Sequence, residues 1–158
     1  MEQKELDDAL IKFASLGMTK EVAKCLELGA DVHADGDTAF GYAALCGRTE
    51  TIKFLLDNGA DIHANDGEAL KWAAKNGHTE TVKLLLDSGA DVHSCNDVAL
   101  IWAANSGHTE VVKILLDNGA DVHTSDDMAL RLAALYGHTE VVKLLEKEKG
   151  PHGSKRAR

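Results

Sequence analysis

The sequence predicts an all-α solenoid built from five copies of one helix pair. The first observation is periodicity, because the tripeptide Gly-Ala-Asp begins at positions 29, 59, 89 and 119, a strict spacing of 30 residues. The second is likeness between copies, since residues 64–93 and 94–123 are identical at 19 of 30 aligned positions. The third is that each copy contains two apolar stripes at helical spacing, which indicates two amphipathic helices.

The chain has the length and composition of a single globular domain. It has 158 residues, of which 44% are hydrophobic and 27% are charged. No apolar run is long enough to span a membrane, and the polar start MEQKELDDALIKF does not resemble a secretory signal. The three cysteines match no disulfide or zinc spacing, which indicates a reducing compartment. We therefore expect a cytoplasmic protein that needs no cofactor and does not bind membranes.

The charge of the chain argues against nucleic acid as a partner. The net charge is −9, and the tail at 155–158 holds three of the 17 basic residues. Residues 1–151 therefore carry 14 basic and all 26 acidic residues, a net charge of −12. Nucleic-acid binding needs basic side chains that displace counterions from phosphate. A protein partner with a basic or mixed surface suits this chain better.

The first helix of each copy has a narrow apolar stripe, which in residues 64–93 runs through Leu70, Ala73 and Ala74. The alanines are small, so neighbouring helices can approach closely. Aspartates precede this helix and are predicted to cap its free N–H groups, and glycines end it where a left-handed residue is needed. The aspartates are Asp37, Asp66, Asp97 and Asp127, and the glycines are Gly47, Gly77, Gly107 and Gly137.

These residues resemble the ankyrin repeat. The segment EALKWAAKNGHTETVKLLLDSGADVH (68–93) follows the family pattern through Gly-His, Val-x-x-Leu-Leu and Gly-Ala-Asp-Val, and the likeness covers about residues 5–149. The period is 30 rather than the usual 33, so the resemblance implies hairpin fingers shortened to tight turns. Repeats of this short type look like those of large DNA viruses and some intracellular bacteria. Such a source would place the protein in the cytoplasm or nucleus of a host cell.

We expect one domain at 1–149, made of five units. The units are 1–33, 34–63, 64–93, 94–123 and 124–149, followed by a flexible basic tail at 150–158. The terminal units of a solenoid need polar outer faces. Lys24 occupies the place that Phe54 has in the second unit, and Glu146 occupies the place of Leu116. Both ends are therefore predicted to be caps of a complete and monomeric solenoid.

Histidine recurs in every unit, but its spacing argues against a metal site. His33, His63, His93 and His123 would stack about one helix diameter apart, roughly 10 Å, whereas a metal needs ligands about 2 Å from itself. We expect these imidazoles to brace turns by bonding backbone groups, together with the aspartate two residues before each. A second set follows the helix-ending glycines and is predicted to pack between units: His78, His108 and His138.

No catalytic motif is present in the sequence. Cys25 aligns with Leu55 and is predicted to be a small core residue. Cys95 falls in a turn and Cys46 on a first helix, and neither has a repeated histidine partner. The chain has no phosphate-binding loop, nucleophile elbow or paired-acid motif. We therefore expect a protein that is not an enzyme.

Stacking leaves one side of each first helix free, and the resemblance implies that this side lines a concave face. Trp72 lies about 200° around the helix from Leu70, opposite the apolar stripe. Both tryptophans and both tyrosines fall on this side, and aromatic residues dominate binding hot spots. Each tryptophan alone is also compatible with packing over the next turn. We define the groove residues as Tyr42, Leu45, Cys46, Trp72, Lys75, Asn76, Trp102, Asn105, Ser106, Leu132, Leu135 and Tyr136.

The sequence thus predicts a non-enzymatic module that binds a protein partner. The groove residues would contact a folded surface or a peptide, and acidic residues of the turns would steer basic partners towards them. A second hypothesis stays open, namely a scaffold or decoy protein, viral, bacterial or designed, without a dedicated groove. We define the turn acids as Asp35, Asp37, Asp66, Asp97, Asp126 and Asp127.

Overall fold

The computed structural model describes residues 1–150, which form ten α-helices in two rows and no strand. The first row consists of α1 (Gln3–Leu16), α3 (Ala34–Leu45), α5 (Ala64–Lys75), α7 (Ser94–Asn105) and α9 (Thr124–Leu135). The second row consists of α2 (Thr19–Glu27), α4 (Thr49–Asp57), α6 (Thr79–Asp87), α8 (Thr109–Asp117) and α10 (Thr139–Lys149). The predicted all-α solenoid of helix pairs is confirmed.

Helices of the first row stack directly on one another, α1 on α3, α3 on α5, α5 on α7 and α7 on α9. They lie closer together than the helices of the second row do. The alanine pairs explain this closeness, because a methyl side chain lets two helix backbones approach. Ala73 and Ala74 of α5 are completely buried, and so are the equivalent pairs of α3 and α7. The predicted stripe of the first helix is therefore the contact surface between units.

The second row supplies the larger side chains of a core that runs through all five units. Val82 and Leu85 of α6 are completely buried, and so are the residues at the same places of α4 and α8. Burial of each such side chain stabilises the fold by about 1.5–3 kcal/mol. Their spacing of three residues puts both on the face of α6 that meets the first row, as the sequence predicted.

A left-handed turn begins each of the four helices α3, α5, α7 and α9. Three consecutive residues have positive φ, for example Asp35 at 51°, Gly36 at 71° and Asp37 at 61°. The carbonyl oxygen of His33 accepts the N–H groups of Gly36 and Asp37 at 3.0 and 3.3 Å. The regular right-handed helix starts only at Thr38. This is the tight turn that the shortened repeat predicted, and it occupies 35–37, 65–67, 95–97 and 125–127.

The aspartates that precede the first helices do not cap them, contrary to expectation. Asp37 Oδ1 accepts the backbone N–H of Asp61, 2.8 Å away in the following unit. Asp97 Oδ1 accepts that of Asp121 at 2.9 Å in the same way. The left-handed backbone directs these carboxylates to the neighbouring unit instead of their own helix. Asp66 lies one place earlier in its turn and is exposed.

The residue after each helix-ending glycine joins its unit to the one before. Nε2 of His78 lies 2.9 Å from the carbonyl oxygen of Leu45, at the end of α3. Its ring covers Gly47, where an added Cβ would come within 2.6 Å of Nδ1. Gly47 also has φ of 65°, so the left-handed ending is confirmed. The contact recurs between His108 and Lys75, His138 and Asn105, and Arg48 and Ser15.

The two ends of the solenoid differ. Glu146 is exposed on the last helix, and Lys24 is exposed on the first unit. Beside Lys24, however, an apolar depression of about 240 Å³ opens between α1 and α2, where Leu6, Phe13 and Leu28 contribute to its lining. The tail predicted at 150–158 lies outside the described residues except for Gly150.

Candidate binding surface

Trp72 and Trp102 form an aromatic pair across the contact between α5 and α7. Their ring centroids are 5.5 Å apart, and the planes are inclined by 47°. Nζ of Lys75 lies 5.0 Å from the centre of Trp72 and 5.2 Å from that of Trp102, within the range of cation–π attraction. Both tryptophans are half-buried. The free side of the first row therefore contains an ordered cluster of two indoles and one ammonium group.

A depression of about 200 Å³ lies on the other side of Trp72, towards Tyr42. Trp72 Nε1 donates a hydrogen bond of 2.9 Å to Oε1 of Glu68, one turn earlier in α5. Oε2 of Glu68 accepts a second bond of 3.2 Å from Nδ2 of Asn65. A carboxylate held by two donors therefore lies beside the aromatic side chains. The lining consists of Thr38, Gly41, Tyr42, Leu45, Glu68 and Trp72.

The other groove residues are arranged around these two features. Asn76 donates a 3.2 Å hydrogen bond from Nδ2 to the carbonyl oxygen of Leu45, so it joins two units. At the far end of the row, Leu135 is 72% and Tyr136 59% exposed, and Tyr42 is 46% exposed at the near end. The half-buried members are Leu45, Cys46, Asn105, Ser106 and Leu132.

The turn acids differ in exposure, which corrects the expectation that all face a partner. Asp37 and Asp97 are buried, because their carboxylates bond to the next unit. Asp127 is half-buried. Asp35, Asp66 and Asp126 are exposed, so they are the turn acids that a partner can reach.

The histidines of the turns bond to aspartate side chains, not to backbone groups as expected. Nδ1 of His33 lies 3.0 Å from Oδ2 of Asp37, four residues later, and this hydrogen bond raises the pKa of His33 above its usual value. His93 bonds to Asp97, and His123 bonds to Asp127, in the same geometry. In the third unit glycine takes the place of that aspartate. The expected bracing by the aspartate before each histidine is confirmed, as in the 2.9 Å bond from the His33 N–H to Asp31.

Asp127 lies in the last described unit, where its carboxylate bonds to a lysine and a histidine side chain. Nζ of Lys149 lies 2.7 Å from Oδ2 of Asp127, and Nδ1 of His123 lies 2.9 Å from Oδ1. These two hydrogen bonds, first that of Lys149 and then that of His123, hold the pKa of Asp127 below its usual value. The carboxylate is therefore a structural anchor between the start of α9 and the end of α10.

The cysteines occupy the places that the sequence predicted. Cys25 is buried in the core, and burial raises the pKa of its thiol. A raised pKa disfavours the thiolate, which is the reactive form of cysteine. Cys95 is exposed in a turn, and Cys46 is half-buried at the end of α3. Within residues 1–150, no group of three or more metal-ligating side chains converges on one point.

A family model described as "Ankyrin repeats (3 copies)" matches residues 2–66 and 70–156, which is nearly the whole chain. The chain belongs to the ankyrin repeat family. No curated protein shows significant sequence similarity to it. Within residues 1–150 of this ankyrin repeat protein, no helix has both the length and the apolar character to cross a membrane.

Glu68 is the residue of this surface that the sequence pattern did not single out. It lies four residues before Trp72, and side chains at that spacing meet on one face of a helix. The same spacing relates Asp37 to His33 across a left-handed turn, where no helical rule applies. The contact between Glu68 and Trp72 could therefore be predicted from the sequence, whereas the contact between His33 and Asp37 could not.

Proposed function

We propose that this ankyrin repeat protein binds another protein through the groove residues. Ankyrin repeats generally serve as protein–protein interaction modules. The observation that carries the proposal is the aromatic row on the free side of the first helices. It starts at exposed Tyr42, continues through the stacked pair of Trp72 and Trp102, and ends at exposed Tyr136. Rigid aromatic side chains bury a large area at low entropic cost, which suits them to anchor a partner.

The charge of the molecule favours a partner with a basic or mixed surface. Residues 1–158 carry a net charge of −9, and Asp35, Asp66 and Asp126 are exposed on the turns. Opposite charges on two surfaces raise the rate of encounter more than they raise affinity. We therefore propose that the exposed turn acids guide the partner and that the groove residues hold it.

The proposed module is non-enzymatic and acts in the cytoplasm. Ankyrin repeats are typically interaction domains rather than enzymes. The three thiols are free, and a reducing compartment suits a protein with unpaired cysteines. We also propose that the protein acts as a monomer, because polar Lys24 and Glu146 are exposed on α2 and α10, the outermost described helices of the second row.

The test is a double variant, Trp72→Ala with Trp102→Ala, compared with wild type in affinity for a partner identified by pull-down. We expect affinity to fall about 30-fold or more, since an anchoring aromatic is worth about 2 kcal/mol or more. The matched control is Leu28→Ala, which removes a side chain that is 68% exposed at the end of α2. Chemical denaturation of both variants checks that the fold is retained.

Intact affinity in the folded double variant would contradict the proposal. It would favour the second candidate, a scaffold or decoy without a dedicated groove. One observation supports that candidate, because the indole N–H of Trp72 already bonds to Glu68 and Lys75 already lies over both rings. In that case the tryptophans stabilise the contact between α5 and α7 and bind nothing.

A further inference from the structure

The depression beside Trp72 combines aromatic side chains with a carboxylate. Tyr42 and Trp72 contribute rings to its lining, and Glu68 contributes its carboxylate. Gly41 has no side chain to fill the space between them, and a Cβ added there would be in van der Waals contact with Oε2 of Glu68, 3.6 Å away. The volume of about 200 Å³ suits one side chain and not a whole ligand of drug size.

The carboxylate of Glu68 is held in place but is not neutralised. Its two oxygens accept one hydrogen bond each, from Trp72 Nε1 and Asn65 Nδ2, at 2.9 and 3.2 Å. A carboxylate oxygen can accept two bonds, so each retains a free acceptor position. Among residues 1–150, the ion pairs within 4.0 Å do not include Glu68. Lys71, the nearest lysine in sequence, directs Nζ to Asn65 O and Cys95 Sγ, both at 3.5 Å.

The tryptophans of this surface already attract a cation. Lys75 places Nζ about equally far from both rings, at 5.0 and 5.2 Å. Within the described part of the chain, no cation lies over the ring of Tyr42, at the other side of the depression. The depression therefore has the aromatic faces and the anionic group of a cation site.

We propose that this depression receives an arginine side chain of the partner, a proposal that rests on the binding function proposed above. A guanidinium is flat, stacks on aromatic rings and donates several N–H groups in one plane. Between Tyr42 and Trp72 it would donate to the free positions of both Glu68 oxygens, as paired hydrogen bonds. Lysine fits less well, because its ammonium is more strongly hydrated and does not stack.

The site occurs once in the solenoid, which gives the surface a fixed register. Glu68 has Thr38, Val98 and Met128 at the equivalent places of α3, α7 and α9, and none of these is charged. The equivalent residue of the first unit is Asp8, but among residues 1–150 no first-row helix precedes α1 to complete such a depression. Gly41 has Lys71, Ile101 and Arg131 at its equivalent places, all of which are large. A partner with one suitable arginine would therefore bind in a single position along the row.

The experiment is a titration of ¹⁵N-labelled protein with acetyl-arginine methylamide, followed by NMR. The chain has two tryptophans and therefore gives two indole N–H signals. We expect the signal of Trp72 to shift and saturate in the millimolar range, on the order of 1 mM for so small a ligand. The signal of Trp102 should shift much less. The neutral citrulline analogue should cause no saturable shift, and the lysine analogue should bind more weakly.

The decisive variant is Glu68→Gln, which keeps an acceptor for Trp72 but removes the charge. We expect its affinity for the arginine probe to fall about tenfold or more, the loss of a charged hydrogen bond. Glu80→Gln is the matched control, because Glu80 is exposed on the second row and should leave the affinity unchanged. An unsaturable shift, equal binding of citrulline or lysine, or unchanged binding by Glu68→Gln would overturn the arginine site.

The same variants separate this inference from the proposed function. If Glu68→Gln binds the partner as tightly as wild type while the double tryptophan variant does not, binding through the groove residues is supported and the arginine site is contradicted. If the probe binds as expected but neither variant changes partner affinity, the depression binds a guanidinium but no arginine of the partner, and both the arginine proposal and the proposed function fail.

Discussion

Nζ of Lys149 lies 2.7 Å from Oδ2 of Asp127, and this ion pair joins the end of α10 to the turn that begins α9. At the same place of an internal unit, Asp97 accepts the backbone N–H of Asp121 from the unit that follows. The last described unit has no such N–H group, and the lysine at the end of α10 provides the donor instead. A single side chain thus replaces a contact that elsewhere requires a whole neighbouring unit.

Replacement of this lysine should loosen the last unit. We expect Lys149→Met to lower the free energy of unfolding by about 1 kcal/mol at neutral pH, since the pair is partly exposed. The measurement is urea denaturation. Lys147→Met serves as the control, because Lys147 is exposed on the same helix, and it should leave stability nearly unchanged. Equal loss in both variants would show that net charge matters and the Asp127 contact does not.

The effect of Lys149→Met should depend on pH in a defined direction. The pKa of Asp127 is held below its usual value of 3.8, first by Lys149 and then by His123. Such a group contributes its full stability above the usual pKa and loses it as pH falls through the folded pKa. The difference between wild type and Lys149→Met should therefore be constant above about pH 5 and disappear in stronger acid. A difference that persists at pH 2 would contradict this account.

The contribution of the His33–Asp37 pair to stability should depend on pH in the opposite sense to that of Asp127. The hydrogen bond to Asp37 and its negative charge raise the pKa of His33 above its usual value of 6.5. The pair therefore stabilises the fold below the usual pKa, and the contribution is lost as pH rises through the folded pKa. NMR titration of the imidazole should give a midpoint above 6.5 in wild type. In Asp37→Asn the midpoint should move down, and an unchanged midpoint would exclude Asp37 as the cause.

The third unit lacks one contact that its neighbours have, and that contact can be introduced. Gly67 stands where Asp37 and Asp97 accept the next unit's N–H, and a Cβ at Gly67 would lie 2.7 Å from Ser94 Oγ. In the preceding unit pair, Asp37 stands at the place of Gly67 and Ala64 at the place of Ser94, so Gly67→Asp with Ser94→Ala copies a pair of residues already present in the chain. We expect a gain of about 1 kcal/mol, the difference between a charged hydrogen bond and the cost of a left-handed aspartate.

Denaturation of the double variant, of Gly67→Asp alone and of Ser94→Ala alone measures this gain. Gly67→Asp alone should gain less, because its Cβ would crowd Ser94. If the double variant is less stable than Ser94→Ala, the introduced aspartate does not accept the N–H of Asp91. The bond that Asp37 and Asp97 make to the next unit would then not be transferable to the third unit.

Replacement of Cys95 by asparagine should raise the stability of the fold. Its φ is 51°, and the one hydrogen bond that its Sγ donates is long, at 3.9 Å to the carbonyl oxygen of Asp66. At the equivalent place, Asn65 Nδ2 donates a 3.0 Å hydrogen bond to Gly36. Asparagine tolerates positive φ better than most residues do, so Cys95→Asn should raise stability by about 0.5–1.5 kcal/mol. Cys95→Val, which is β-branched and has no donor, should lower it, and thermal melts distinguish the two.

The fold could be predicted from the sequence because the constant repeat length places equivalent residues at equivalent positions of each helix. The places of Leu70, Ala74 and Leu85 hold apolar residues every 30 residues, and periodic apolar residues define the buried face of a helix without further information. The left-handed endings at the glycines were predicted for the same reason, since only one residue type favours that backbone. The side of α5 that carries Trp72 followed from the helical period alone.

The contacts of the turns could not be predicted in the same way. The expected capping role of Asp37 assumed an ordinary start of α3, whereas three residues with positive φ direct the carboxylate to Asp61. Backbone dihedrals of a run of Asp, Asn, Ser and Cys are not encoded by a hydrophobic pattern. The pairing of Lys149 with Asp127 depends on where the last helix ends, which periodicity does not fix.

The hydrogen bonds between His78 and Leu45, and their equivalents, join residues 33 positions apart, and no longer-range side-chain bond occurs within residues 1–150. A chain whose contacts all reach to the adjacent unit can nucleate anywhere and grow in both directions. The number of units in such a chain can therefore change. Excision or duplication of one 30-residue segment would leave each contact between adjacent units formed by the same types of residue. Such proteins can therefore change size in evolution while keeping the same core packing.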